Sequence, residues 1–152
     1  MSYAGLIVFI FLTIIVIVIA ILFTIAIDNL ARLSDSPDPL KNRILDTVIG
    51  VGTFVVIFLI FLIAVGLIGD ILAFYYGRLN MSSNLIYYTM IVFIIATIGL
   101  LILEFYTYTE LKLYRPDVGN EDVINESLNY ILWGIYLTFF ILFISIISVF
   151  FL

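Results

Sequence analysis

Four stretches of this sequence carry no charged residue: Met1 to Ile27, Thr47 to Gly69, Leu79 to Leu103 and Ser127 to Leu152. Each is longer than the ~20 residues an α-helix needs to cross a hydrocarbon core ~30 Å thick. Amides immersed in lipid find no water, so each segment must satisfy its own N–H and C=O groups, which a helix does and a lone strand does not. The runs lack period-two alternation, which argues against a barrel. With 65% of residues hydrophobic and 11% charged, the chain cannot clad a soluble domain, in which about a quarter of residues are charged. The expected fold is all-α: a polytopic membrane protein with four transmembrane helices arranged as two long helical hairpins in a four-helix bundle. The spans are expected at about 3–27, 47–69, 82–103 and 129–151, within a single domain covering 1–152. The first stretch has no basic residue before its apolar run and is too long for a signal peptide, so it reads as a retained span.

The charges are as informative as their absence. Of the eleven acidic and six basic residues, all but Asp70 and Arg78 fall in two intervals, 28–46 and 104–126. In a four-span chain these loops share one face, holding Arg32, Lys41, Arg43, Lys112 and Arg115 against Arg78 opposite. The positive-inside rule places both loops in the cytoplasm and both ends of the sequence on the other side. Tyr3, Tyr75, Tyr76, Tyr87 and Tyr88 mark the expected outer boundary, and Tyr106, Tyr108, Tyr130 and Trp133 the inner one, as aromatic rings favour the headgroup level.

The charged loops are themselves expected to be partly helical. Ser34 to Pro39 reads as a turn in which Asp38 caps a helix with Pro39 at its first position. Arg115 to Asn120 reads as a second turn, after which Asn120, Glu121 and Asp122 supply the cap and acidic first turn of the fourth helix. Helices of ~32–38 residues would be ~48–57 Å long, so both hairpins project from one face. Pro37-Asp38 and Pro116-Asp117 permit a duplication of one hairpin, though the flanking sequences do not align.

Cysteine and histidine are both absent. That removes disulfides, thiolate nucleophiles, imidazole bases and the two commonest transition-metal ligands. No catalytic residue, metal site or cofactor is expected, and the chain does not read as an enzyme. A net charge of −5 argues against nucleic acid as a partner.

Asp70 and Arg78 form the one ionisable pair at the outer end, where interfacial anchoring is a simpler role than an intramembrane site. Gly66-Leu67-Ile68-Gly69-Asp70 faintly resembles the Gly-Asp signature of intramembrane aspartyl proteases, but the Tyr-Asp pair those enzymes also carry is missing. Glu104 closes the third uncharged stretch as Asp28 closes the first, and both read as boundary residues. Gly50, Gly52, Gly66, Gly69, Gly99 and Gly134 are the expected sites of close helix packing. Two sequons, Asn80-Met81-Ser82 and Asn125-Glu126-Ser127, are badly placed for glycosylation, and Tyr108-Thr109-Glu110-Leu111 fits a sorting signal at chance level.

The most economical function is structural. The acidic hairpins dock onto another protein through Asp35, Asp38, Lys41, Arg43, Glu110, Lys112, Arg115, Asp117, Glu121 and Asp122, against a basic or donor-rich face. The partners are thus the bilayer and other proteins of a larger assembly, and self-association is compatible with the pattern. The short, almost wholly embedded chain, rich in isoleucine and phenylalanine and with its charges grouped on one face, resembles the small polytopic minor capsid proteins in the inner membrane of large icosahedral DNA viruses. The likeness covers the whole chain, is one of type and transfers no functional residue. It implies that the 28–46 and 104–126 hairpins face a capsid. Claudins and tetraspanins differ in their extracellular cysteines. Two alternatives stand beside this reading: an accessory subunit of a multi-subunit cellular or organellar membrane complex, and an oligomeric channel or small-solute transporter.

Overall fold

The computed structural model describes residues 4–33, 39–78, 84–114 and 121–151. They form four helices: α1 (Ala4–Ala31), α2 (Pro39–Arg78), α3 (Asn84–Lys112) and α4 (Glu121–Phe151). All four are long and apolar enough to cross a bilayer, over Leu6–Ala31, Pro39–Tyr75, Tyr87–Lys112 and Glu121–Phe150. The chain is a multi-pass membrane protein folded as a four-helix bundle. The turns around Pro37 and Pro116, the caps Asp38 and Asn120, the sequon at Asn80 and Tyr3 lie outside the described residues.

Helix lengths fall on both sides of the expected ~32–38 residues. α2 has 40 residues, about 60 Å at 1.5 Å per residue, while α1, α3 and α4 have 28, 29 and 31. α2 starts at Pro39, whose fixed φ and missing N–H suit a first helical position, and continues past Asp70. α1 runs beyond Ile27 and closes with Arg32 N–H donating to the Asp28 carbonyl and Leu33 N–H to that of Leu30, both at 3.2 Å. α3 closes similarly, with Leu113 and Tyr114 donating to Glu110 and Leu111. α4 opens on Glu121 and Asp122, acidic side chains that suit the positive end of the helix dipole.

Each helix packs against its neighbours around a ring, α1 on α2, α2 on α3, α3 on α4 and α4 back on α1, and among the described residues the diagonal pairs do not pack closely. Register shows the antiparallel course. Along α1 and α2, Gly52 meets Ile27, Gly66 meets Thr13 and Gly69 meets Phe9. Ser127 and Gly134 of α4 likewise meet Ala26 and Phe23 of α1. The C-terminal ends of α1 and α3 and the N-terminal ends of α2 and α4 therefore share one end of the bundle, which holds most of the described charged residues, Asp70 and Arg78 lying towards the other.

Buried positions follow alternating steps of three and four. On α1 they include Phe9, Leu12, Val16, Ile19, Phe23, Ala26 and Leu30. On α3 they include Phe93, Thr97, Leu100, Glu104, Thr107 and Leu111, and on α4 Ile124, Ser127, Ile131, Thr138, Ile141, Ser145 and Ser148. This 3.5-residue period is the left-handed packing of antiparallel bundles. The outside is apolar too, with large side chains such as Ile7, Phe143 and Phe150 facing outward. Edge-to-face ring pairs, Phe11 with Phe140 and Phe105 with Phe139, bridge neighbouring helices there. Hydroxyls in this apolar setting return to the helix backbone. Thr97 donates to the Phe93 carbonyl at 2.7 Å and Ser145 to that of Ile141 at 2.6 Å, and outward-facing Thr24 and Thr53 do the same.

Candidate functional site

Two kinds of polar surface could carry function: the charged end of the bundle and the carboxyls between its helices. At the charged end, Arg43, Lys112, Glu121 and Asp122 are exposed, whereas Lys41 and Glu110 are half-buried. Asp35, Asp38, Arg115 and Asp117, the other candidate partner contacts, lie outside the described residues. The Lys112 ammonium sits 5.3 Å from the centre of the Tyr108 ring, and Arg32 pairs with Asp28 at 2.9 Å one turn away. Exposed pairs of this kind contribute at most about 1 kcal/mol. The described candidates share an end of the bundle and present a charged surface rather than a pocket. Three of them, Arg43, Glu121 and Asp122, stand on the first turns of α2 and α4, where those helices outrun their apolar stretches.

The interior carboxyls differ from their sequence reading. Asp70, expected at the headgroups, is half-buried against α1. Thr13 donates to its Oδ2 at 3.2 Å while Oδ1 is enclosed without a partner. Gly66 makes this possible, since a Cβ there would lie 2.6 Å from the Thr13 hydroxyl. The side chain of Arg78 lies outside the described residues. Asp28, read as a boundary residue, is exposed within α1, whereas Glu104, read the same way, is 0% exposed at a core position of α3. Thr138 of α4 donates to its Oε1 at 2.8 Å, and its Oε2 has no partner. Tyr106, two residues on, is exposed, so the interface marker and the buried acid occupy opposite faces of one helical turn.

Helix-packing glycines also need one correction. A Cβ on Gly69 would lie 2.4 Å from the Phe9 ring, and one on Gly134 would lie 2.7 Å from that of Phe23. Gly99 has only an ordinary contact with Phe58 at 3.8 Å, and Gly50 faces open space. Gly50 is therefore not a packing site, because its turn points away from every neighbouring helix. Gly52, expected to pack as well, does so against Ile27. The signal that would have found Glu104 is spacing: Thr97, Glu104 and Thr107, like Ser127, Gly134, Thr138, Ser145 and Ser148, follow the three-four alternation. Compared with protein-family models, curated proteins and solved structures, the chain matches none.

Proposed function

We propose that this chain is a structural component of a membrane-bound assembly, held in the bilayer by its four helices and docked to another protein through its charged end. The observation that carries this reading is the concentration of exposed charge, Asp28, Arg43, Asp46, Glu121, Asp122 and Glu126, at one end of an otherwise apolar bundle. Charge so placed favours complementary, salt-sensitive contact. The 104–126 interval carries six acidic and two basic residues, so the partner presents a basic or donor-rich face. By the positive-inside rule this end lies in the cytoplasm. In a virion with an inner membrane the partner would be the capsid shell, and in a cellular membrane it would be the other subunits of a complex.

The test is purification in mild detergent with the bound proteins identified, from wild type and from a chain with Glu121, Asp122 and Glu126 changed to Lys. A stoichiometric partner that is retained at low salt, released at high salt and lost from the triple variant supports docking. A chain that purifies alone, or a partner indifferent to both salt and charge reversal, sinks it.

A further inference from the structure

Glu104 is the only charged residue among the described residues that the bundle encloses completely. It occupies a heptad core position between Leu100 and Thr107, where an apolar side chain would pack without desolvating a carboxyl. No ion pair reaches it among the described residues. Arg32 pairs with Asp28 and Lys112 lies over Tyr108.

The oxygens around it are short of hydrogen. The Thr138 hydroxyl lies 2.8 Å from Glu104 Oε1 and 2.8 Å from the Gly134 carbonyl oxygen, yet a hydroxyl carries a single proton. Glu104 Oε2 meets no donor. The buried carboxyl thus has one oxygen that shares the Thr138 hydrogen with the Gly134 carbonyl and one that meets no hydrogen at all. We infer that the Glu104 carboxyl, with the Thr138 hydroxyl beside it, forms a binding site for a single positive charge, a proton or an alkali cation, inside the bundle. Buried acids in membrane proteins commonly serve this chemistry.

Two further features fit the assignment. Buried hydroxyls extend from the site along α3 and α4, Thr107 and Ser127 towards the charged end and Thr97 and Ser145 away from it. These are the polar groups a small cation needs in an apolar core. Thr13 and Asp70 repeat the arrangement in the other hairpin, with one carboxyl oxygen bonded and one bare, but there the carboxyl is only half-buried. Gly134, one turn before Thr138, has no side chain and so leaves room for the Phe23 ring of α1. The site is independent of what docks at the charged end.

Infrared difference spectra of wild type against E104Q, in lipid films over a range of pH with and without NaCl or KCl, test the assignment. A neutral-acid carbonyl band present in wild type, absent from E104Q and indifferent to salt identifies the ligand as a proton. Carboxylate bands of Glu104 that shift with Na+ or K+ identify an alkali cation. Carboxylate bands unmoved by pH and by either cation overturn the site. Should E104Q lose its helical circular dichroism, wild type is read by dicyclohexylcarbodiimide labelling, mapped by mass spectrometry. Labelling of Glu104 that falls with rising pH or with added Na+ or K+ supports the site. Labelling that is absent, or indifferent to pH and to both cations, overturns it.

Discussion

Among the described residues, Thr138 supplies the one hydrogen bond to the fully buried Glu104 carboxyl. Thr138→Val removes that donor while keeping the branched shape. An interhelical hydrogen bond in a membrane bundle is worth about 0.6 kcal/mol on average and up to about 1.7, and here the loss leaves a second carboxyl oxygen bare. Destabilisation at the upper end of that range is expected, read by circular dichroism in mixed micelles. The glycines divide sharply. Gly134→Ala forces a Cβ against the Phe23 ring and should cost roughly 1–3 kcal/mol through overpacking. Gly50→Ala meets nothing and should be neutral or stabilising by up to about 1 kcal/mol, since alanine is the better helix former. A Gly50→Ala loss equal to that of Gly134→Ala would refute the assignment of faces. Which glycine packs was not legible from the residue type, because every helical glycine looks alike until its neighbour is known.

The helices extend as packed elements, not as solvated arms. Leu45 and Val48, on the turns that begin α2, are buried, and beyond the end of α3 Tyr114 is buried as well. The charged end is therefore a continuation of the bundle. Leu45→Ala is expected to cost about 2 kcal/mol or more, the usual range for a buried leucine. Exposed Leu113→Ala should change stability by less than about 0.5 kcal/mol. Equal effects in a thermal unfolding series would show the extension to be frayed. Helix starts were legible where chemistry is local: Pro39 begins α2, and Glu121 and Asp122 open α4. Lengths were less so, because the uncharged runs end at Ile27 and Gly69 while α1 and α2 continue to Ala31 and Arg78.

For the whole molecule, the antiparallel ring places both charged connections at one end and the α2–α3 connection at the other. Single cysteines introduced into this cysteine-free chain should report it. S36C and N120C should react with an impermeant maleimide from the cytoplasmic side, and S83C only from the opposite side. The reverse pattern would invert the orientation while leaving the bundle intact. Tyr87 and Tyr88 lie about 27 Å along α3 from Tyr106 at 1.5 Å per residue, and all three are exposed. That distance matches a hydrocarbon core of ~30 Å.

The number of helices, their span-forming length and the segregation of charge to one end follow from the sequence alone. Each reflects a local penalty, an unsatisfied amide or an unsolvated charge in lipid, that a segment meets whatever its neighbours do. The inside of the bundle was decided only by tertiary structure. In a soluble bundle an apolar stripe marks the buried face, but here Phe143 and Phe150 face outward while Phe9 and Phe23 face inward, so hydrophobicity gives no contrast between them. Glu104 could be read as a boundary residue because it ends an uncharged run. It became an interior one because the three-four register of α3 aims it at Thr138, a contact that exists only once two helices have packed.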